Sequence, residues 1–292
     1  MQHALSEVRD FWNANPCQSQ LSHAAERRRY FEEISYNRYH GREWHVPTVA
    51  NFPAYKGKNV LEIGCSIATD GLEFAKAGAI YTGVDLTPHS IELAEERFSI
   101  FDVPGNFVVA NAETLPFADN SFDHIYSFGV IHHSPHPEKI TAEMRRVLRK
   151  GGTFTVMLYN RNSINYRVEI MFLRKLFRLC LLPKPMPRVI SGLTGFDRWK
   201  LEGHRDVLIK KGRMTCEEWI SINTDGPFCP LARVYNYKEA ADLFKQFADV
   251  RQEVWEFNSR HWSFLGKLIP LGLERQIGRR WGWHRMIYGE KL

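Results

Sequence analysis

Residues 59–70 read Asn-Val-Leu-Glu-Ile-Gly-Cys-Ser-Ile-Ala-Thr-Asp, and this stretch decides the fold. The short apolar run that ends at Ile63 is typical of a buried strand, and Gly64 opens a turn before a helical segment over 69–77. Gly78 follows that segment directly, at the position where helices commonly end. The order is strand, loop, helix, which is the first half of a unit with parallel strands.

The same alternation repeats as far as residue 158 and returns near the C-terminus. It predicts strands over 80–85, 106–110, 122–128, 153–158, 250–257 and 283–289, with helices that begin after Thr87, at Pro137 and near Tyr237. Strands that alternate with helices form a sheet covered by helices. The predicted class is α/β, with a Rossmann-like, seven-stranded, mostly parallel sheet whose last strand is antiparallel.

The composition is that of a globular protein. The chain has 292 residues, 44% of them hydrophobic and 25% charged, and its five cysteines are scattered without a Cys-x-x-Cys pair. This pattern disfavours a disulfide scaffold, and no cluster has metal-ligand spacing. The N-terminus lacks the apolar core of a secretory signal, so a cytoplasmic location is expected.

The loop after the first strand favours one class of nucleotide cofactor over another. The spacing Gly-x-Gly-x-x-Gly of dinucleotide enzymes is absent, because Ser66 and Ala68 stand where further glycines are expected. Asp85 ends the second strand 21 residues after Gly64, where a carboxylate can accept hydrogen bonds from a ribose diol. The missing glycine spacing disfavours a nicotinamide oxidoreductase, although that class uses the same kind of sheet.

Two later motifs complete the pattern. Residues 110–123 read Ala-Asn-Ala-Glu-Thr-Leu-Pro-Phe-Ala-Asp-Asn-Ser-Phe-Asp, and residues 127–133 read Ser-Phe-Gly-Val-Ile-His-His. Together with Glu62, Gly64 and Asp85, these motifs resemble the class I S-adenosylmethionine-dependent methyltransferases, in particular the methyltransferase-11 or UbiE-like group. The chain departs from that pattern at Ser66 and Ala68, which replace glycines, and at Asn111, which replaces an aspartate.

The resemblance implies a cofactor, S-adenosyl-L-methionine, a product, S-adenosyl-L-homocysteine, and a set of site residues. The cofactor-binding residues that it implies are Glu62, Gly64, Cys65, Ser66, Asp85, Leu86, Asn111, Ala112, Glu113 and Phe128. The sequence itself divides into four predicted regions: a helical N-terminal cap (1–55), the cofactor-binding half (56–160), a basic insertion that is a candidate substrate lid (161–235) and the C-terminal half (236–292).

Other side chains are predicted to contact the methionine end or the acceptor. Arg38 is suited to pair with the methionine carboxylate, while Tyr36, Tyr39 and Tyr159 are predicted to contact the acceptor. His133 and His132 are the candidate bases, needed only if the nucleophile must lose a proton. Packing is the alternative for both histidines and for the N-terminal aromatic residues, and both interpretations stay open.

The basic character is concentrated in the insertion. Between Arg161 and Arg213 there are 13 Lys or Arg residues against four acidic ones, in a chain whose net charge is +6. Residues 164–182 form a basic amphipathic helix in outline, which suits either peripheral contact with a membrane or packing on a core.

The sequence therefore predicts an enzyme that methylates an oxygen, nitrogen or carbon atom of a small molecule, with a lipophilic compound or natural product as one class of acceptor. Two alternatives remain: an RNA methyltransferase, which the lack of an Asp/Asn-Pro-Pro-Tyr/Phe motif disfavours, and a non-catalytic binding module. The sequence does not indicate the acceptor or the oligomeric state.

Overall fold

The structure is a computed structural model that describes residues 2–257, 259 and 268–292, with only the backbone given for residues 2–4 and 42. Residues 258 and 260–267, part of the predicted C-terminal half, lie outside the described residues. A seven-stranded sheet has the order β3-β2-β1-β4-β5-β7-β6. Its strands are β1 (Asn59–Ile63), β2 (Ile80–Asp85), β3 (Asn106–Val109), β4 (Phe122–Phe128), β5 (Leu148–Tyr159), β6 (Ala248–Trp255) and β7 (His284–Glu290).

The first five strands are parallel, because β1 pairs with β2 and β4, β2 pairs with β3, and β4 pairs with β5, all in the same direction. Next to β5 the direction reverses. The amide of Gly151 donates to the carbonyl of Lys291, and the amide of Lys291 donates to Gly152, as antiparallel neighbours do. The predicted fold class is confirmed, and the strand order changes direction between β1 and β4, where such sheets bind ligands.

Twelve α-helices are described. They are α1 (Gln2–Ala14), α2 (Arg27–Asn37), α3 (Val46–Ala50), α4 (Thr69–Lys76), α5 (Pro88–Phe101), α6 (Pro137–Val147), α7 (Arg174–Phe177), α8 (Met186–Thr194), α9 (Arg198–Lys211), α10 (Cys216–Thr224), α11 (Tyr237–Leu243) and α12 (Leu271–Trp281). Helices α4 and α5 pack on β2, and α5 also packs on β3. None of the described helices is long and apolar enough to cross a membrane.

The chain divides into two compact units. The first comprises residues 1–158, 237–253 and 286–292, and the second comprises 159–236 and 254–285. The N-terminal helices α1, α2 and α3 belong to the first unit. The second unit begins with an irregular helical segment: a π-helix over Asn165–Leu173, then α7, then a 3-10 turn over Arg178–Leu181.

The start of the fifth strand differs most from the sequence prediction, while β3, β6 and β7 differ from their predicted bounds by one or two residues. The fifth strand was expected over 153–158 because Gly151 and Gly152 resemble a turn, but β5 begins at Leu148. Leu148 pairs with Phe122, and the register then shifts before His124 pairs with Thr153. The two glycines therefore lie within an irregular stretch of the strand rather than before it, where Gly151 adopts a positive φ.

A histidine in the core predicts how stability responds to acid. His124 on β4 is fully buried, stacks on Tyr55 with ring centroids 3.9 Å apart, and has Nδ1 2.9 Å from Thr153 Oγ1. Burial lowers the pKa of His124 to about 3 from 6.5. Between these values the unfolded chain binds one more proton than the folded chain, so the stability that the neutral ring provides is lost as pH falls from about 6.5 toward 3.

We expect His124→Asn to remove this dependence. As the pH is lowered from roughly 5.5 to 4, the free energy of unfolding should decrease in both proteins or in the wild type alone. The decrease should be steeper for the wild type than for the variant by about 1.4 kcal/mol per pH unit. Urea unfolding at a series of pH values measures the difference. His23→Asn, at an exposed position, is the control and should keep the wild-type slope. Equal slopes for all three proteins would contradict the assignment.

Candidate active site

A cavity in the first unit lies at the carboxyl ends of β1 and β4, where the strand order reverses. The residues that line it come from the loop after β1, the end of β4 and the N-terminal region. They are Cys17, Gln18, Arg38, Glu62, Gly64, Cys65, Ser66, Thr69, Asp70 and Phe128. Six of these residues were predicted from sequence to bind the cofactor: Arg38, Glu62, Gly64, Cys65, Ser66 and Phe128. The structure therefore brings these six together around one cavity.

The loop after β1 has a backbone that normally requires glycine. Gly64, Ser66 and Ala68 all have positive φ, with values of 73°, 48° and 48°. For Ser66 and Ala68 this left-handed conformation costs roughly 1–2 kcal/mol each, because the Cβ atom approaches the following carbonyl oxygen. The chain thus keeps the path of a glycine-rich loop at the two positions where glycine has been replaced.

Ala68→Gly is therefore expected to stabilise the protein by about 0.5–1 kcal/mol, since relief of the left-handed strain exceeds the entropy that a glycine adds to the unfolded chain. Urea unfolding measures the change. Ala94→Gly is the matched control, because Ala94 is also fully buried but lies inside α5, and it should destabilise by roughly 1 kcal/mol. If both substitutions destabilise equally, the backbone at Ala68 is not strained.

Gly64 is also required by space. A Cβ atom at this position would lie 2.9 Å from Cβ of Val130 and closer still to both of its methyl carbons. Val130 precedes the 3-10 turn Ile131–His133 that follows β4. The loop after β1 and the segment after β4 therefore approach each other at Gly64 too closely for any side chain.

Asp85 connects the end of β2 to this loop. Its Oδ2 accepts a hydrogen bond from the Ser66 amide at 2.9 Å, and its Oδ1 accepts from the amide and hydroxyl of Thr87. Burial raises the pKa of Asp85, while the hydrogen bonds from Thr87 and Ser66 oppose that rise. The carboxylate thus lies against the loop and holds it in place, and its contact with a ribose stays a prediction.

A buried ion pair lines the cavity. Arg38 donates from Nε to Asp70 Oδ1 at 2.8 Å and from Nη2 to Oδ2 at 2.6 Å, and its Nη1 pairs with Glu43. The hydroxyls of Tyr39 and Tyr126 donate to the same carboxylate at 2.8 and 2.9 Å. Asp70 therefore accepts four hydrogen bonds, and both partners of the pair are 3% exposed.

A second carboxylate lies beside this pair. Glu62, also buried, accepts a hydrogen bond from the Tyr81 hydroxyl at 2.5 Å. Burial and the nearby charge of Asp70 raise the pKa of Glu62 well above its ordinary value. The cavity consequently combines two carboxyl groups and one guanidinium, a set that can bind a ligand carrying both an anionic and a cationic group.

Arg97 of α5 connects the loop after β1 to a neighbouring helix. Its fully buried guanidinium donates to the carbonyls of Ile67 and Phe31 and to the hydroxyls of Thr69 and Ser35. These contacts join the loop after β1 to helix α2. Sequence analysis did not identify Arg97, since a single arginine in a helical pattern resembles a solvated surface residue.

Four more of the predicted cofactor residues lie nearby but do not line the cavity. Leu86 follows β2, and Asn111, Ala112 and Glu113 follow β3 at the same edge of the sheet. Asn111 Oδ1 accepts from the Glu113 amide at 2.9 Å, which closes a turn. Glu113 Oε1 accepts from the Ser134 hydroxyl at 2.7 Å, so it connects this turn to the segment after β4. Their contact with cofactor stays a prediction.

The two candidate bases lie in the turn after β4. His132 and His133 are buried, with ring centroids 4.4 Å apart, and His133 packs edge-on against Trp12 of α1 at 5.0 Å. Phe128, at the end of β4, lies 4.9 Å from the Arg38 guanidinium. The packing described for His133 is as expected from the structural interpretation, and its role as a base stays a prediction.

The three predicted acceptor contacts lie in different surroundings. Tyr39 belongs to the buried network around Asp70, whereas Tyr36 is 63% exposed and stacks on His40. Tyr159 belongs to the second unit, where it stacks on Trp283 and donates to Asp225. Tyr36 is thus not brought to the cavity, and the roles of all three toward the acceptor stay predictions.

Four lining residues were missed by sequence analysis. Cys17 and Gln18 reach the cavity because the Ser66 hydroxyl donates to the Cys17 carbonyl at 3.2 Å. Thr69 and Asp70 begin α4 directly after the loop. The acidic residue in the first turn of that helix was the available signal for Asp70, but its partner Arg38 lies 32 residues away in sequence.

The sheet is mostly parallel and has a cavity at its switch point. An acidic residue precedes the glycine turn, and a carboxylate ends β2. These features define a Rossmann-like nucleotide-cofactor domain. Residues 61–156 match the family model of the methyltransferase domain. These residues are therefore a methyltransferase domain, and the resemblance to the class I S-adenosylmethionine-dependent methyltransferases is confirmed, while the UbiE-like subgroup stays a prediction.

Relatives share this domain. The chain is 35% identical over 98 residues to a sterol 4-C-methyltransferase of Caenorhabditis elegans, covering 33% of this chain and 29% of that protein. It is 39% identical over 99 residues to the phthiotriol/phenolphthiotriol dimycocerosates methyltransferase of Mycobacterium leprae, covering 33% and 36%. It is 33% identical over 104 residues to an O-methyltransferase of Aspergillus nomiae, covering 35% and 46%. The match thus spans less than half the length of these relatives.

Solved structures share the fold over nearly the whole chain. The geranyl diphosphate C-methyltransferase of Streptomyces coelicolor is 11% identical with a TM-score of 0.56, covering 99% of this chain and 98% of that one. The magnesium protoporphyrin IX methyltransferase of Synechocystis is 11% identical with a TM-score of 0.54, covering 99% and 100%. At such identities the similarity concerns the fold alone.

Proposed function

We propose that this protein transfers a methyl group from S-adenosylmethionine to an oxygen, nitrogen or carbon atom of a lipophilic small molecule. The observation that carries the proposal is the loop after β1, whose left-handed residues Gly64 and Ser66 border a cavity that Arg38, Glu62 and Asp70 also line. The amides of Gly64 and Cys65 donate to the Val84 carbonyl and that of Ser66 donates to Asp85, so the loop is held in a path that lets a ligand approach the backbone at Gly64.

The residues around the cavity suit the methionine half of this cofactor. Three of the five N–H donors of Arg38 are used by Asp70 and Glu43, which leaves two for a carboxylate. Glu62, which accepts only the Tyr81 hydroxyl among the described side chains, keeps acceptor sites for an amino group, whereas the four hydrogen bonds of Asp70 are used to hold Arg38, Tyr39 and Tyr126. Gly64, which lacks a side chain, permits backbone approach, and Asp85 holds the Ser66 amide in the position that this approach requires.

When bound, the cofactor supplies a methyl group on a sulfonium, which an in-line nucleophile can displace. The protein then contributes mainly by orienting the nucleophile and by excluding water. We propose that His133, with His132 as the alternative, accepts the proton if the nucleophile is a hydroxyl or a protonated amine. A carbon nucleophile activated by its own double bond needs no base before the transfer, but the carbocation that methylation forms must lose a proton to give an alkene, and the same histidine is proposed to accept it.

The names of the relatives support a lipophilic acceptor. By their names, two of them act on a sterol and on phthiotriol or phenolphthiotriol dimycocerosates. We carry over only the chemical class, an apolar molecule with one reactive carbon or oxygen, because the matched residues cover only the cofactor-binding part of the sequence relatives.

The proposal is tested by calorimetry with S-adenosylmethionine and by turnover with a methyl-labelled cofactor and a panel of sterols, phenols and isoprenoids. We expect micromolar cofactor binding and transfer of label to at least one apolar acceptor, with S-adenosylhomocysteine as the product. Binding without transfer to any acceptor would favour a non-catalytic module, and labelling of RNA alone would favour the nucleic-acid alternative. Absence of binding at millimolar cofactor would reject the proposal.

A further inference from the structure

The irregular helical segment 165–181 of the second unit has a fixed inner side. Trp219 of α10 donates from Nε1 to the Ile170 carbonyl at 3.0 Å, and Arg174 donates to the Asn223 carbonyl at 2.9 Å. Asn165, Glu169 and Ile170 are buried on this side. The side of the segment that packs on the protein is therefore defined by a mixture of polar and apolar contacts.

The outward side is apolar. Phe172, Leu176 and Leu179 are 60%, 58% and 63% exposed, and Val168 lies one turn before Phe172 at the same spacing. Residues four, four and three apart lie on one face of a helix. On α8, which packs beside the 3-10 turn Arg178–Leu181, Val189 and Leu193 are exposed at a spacing of four. This arrangement is the reverse of a core helix, whose apolar side faces inward.

Basic side chains flank this apolar stripe. Arg167, Arg178 and Arg188 are exposed and form no ion pair with any described residue. They belong to the stretch 161–213, in which basic residues outnumber acidic ones by nine, so that the remainder of the chain carries a net charge of −3. Together with these three arginines, six exposed apolar residues form what we call the basic apolar surface: Val168, Phe172, Leu176, Leu179, Val189 and Leu193.

We propose that the basic apolar surface docks on an anionic phospholipid bilayer. Exposed leucine and phenylalanine side chains insert at the boundary between headgroups and acyl chains, while arginines bind the headgroup phosphates. A second copy of the chain fits less well, because the same excess of positive charge would face itself. Nucleic acid would satisfy the charge but would leave the apolar stripe exposed to water.

Binding to a bilayer does not require catalysis. The proposal rests on the proposed function only for its biological purpose, because a lipophilic acceptor resides in bilayers. Vesicle co-sedimentation tests it with phosphatidylcholine alone and with phosphatidylcholine that contains 30% phosphatidylglycerol. We expect the wild-type protein to sediment with the anionic vesicles at 50 mM salt and to bind at least tenfold more weakly to the neutral vesicles, or at 500 mM salt.

Two sets of variants separate the contributions. Arg167→Gln, Arg178→Gln and Arg188→Gln together should weaken binding to anionic vesicles by roughly 100-fold, about fivefold per arginine. Phe172→Ser, Leu176→Ser and Leu179→Ser together should weaken it by at least about tenfold, because less apolar area enters the bilayer. The control carries Ile80→Ser, Tyr237→Ser and Leu292→Ser, which remove equally exposed apolar side chains from the first unit and should leave binding unchanged.

Thermal unfolding checks that each variant is folded. We expect all of them to fold, because only exposed side chains are replaced. The proposal is overturned if the wild type does not bind anionic vesicles, or if the first-unit control weakens binding as much as the stripe variant does. It is also overturned if the wild type dimerises in solution and only the stripe variant is monomeric, since the occupant would then be a second copy. Cofactor binding by calorimetry distinguishes these outcomes from a failure of the proposed function.

Discussion

Replacing Asp70 by alanine is expected to lower the free energy of unfolding by about 3–5 kcal/mol, the largest effect anticipated for a single side chain of this protein. The substitution leaves the buried Arg38 guanidinium with only one carboxylate partner, Glu43, and removes the acceptor of the Tyr39 and Tyr126 hydroxyls. A buried charge without its partner loses the interaction that compensates for its desolvation. Urea unfolding at pH 7 measures the loss.

The control is a pair of the same geometry at the surface. Arg27 donates from Nε and Nη2 to the two carboxylate oxygens of Glu96 at 2.6 and 2.5 Å, but these side chains are 41% and 37% exposed. Glu96→Ala should therefore cost less than about 1 kcal/mol. Similar losses for the two variants would contradict the structural role given to the buried pair.

Gly64→Ala is expected to lower stability by roughly 2–5 kcal/mol and to weaken cofactor binding at least 30-fold. Left-handed backbone contributes about 1–2 kcal/mol of that cost, and the overlap of the new Cβ with Val130 contributes the remainder, about 1–3 kcal/mol. The affinity falls because the loop must move away from the position that borders the cavity. Urea unfolding and calorimetry with S-adenosylhomocysteine measure the two effects.

Two comparisons separate backbone strain from overlap. Gly57 has nearly the same φ, 71°, but a Cβ there would meet nothing within 4 Å, so Gly57→Ala should show the strain alone and leave cofactor affinity unchanged. Adding Val130→Ala to Gly64→Ala should restore part of the affinity. If Gly57→Ala and Gly64→Ala are indistinguishable in both measurements, the close approach to Val130 has no functional consequence.

The sheet was predictable because each buried strand is a short apolar run bounded by glycine or a polar turn. β1, β2 and β4 have the predicted bounds, since parallel strands buried on both faces give continuous apolar segments. The start of β5 was not predictable, because Gly151 and Gly152 resemble a turn in sequence and only pairing of Leu148 with Phe122 shows otherwise.

The candidate site was predictable where one loop supplies it. Glu62, Gly64, Cys65 and Ser66 follow β1 directly, and the switch point of the sheet locates their cavity. The contacts of Asp70 with Arg38 and Tyr126 span 32 and 56 residues and could not be inferred from local pattern. Ser66 and Ala68 looked like departures from a glycine loop, yet the backbone there keeps the left-handed conformation that glycine would adopt.

We expect the loop after β1 to bind the methionine half of S-adenosylmethionine, with Asp85 beside the ribose. A crystal structure with S-adenosylhomocysteine is the decisive experiment. It should show the sulfur beside the backbone of Gly64 to Ser66, the carboxylate within hydrogen-bond distance of Arg38, and the ribose next to Asp85. A ligand bound elsewhere on the protein, with this cavity filled by the side chains that line it, would show that the loop is not the cofactor site.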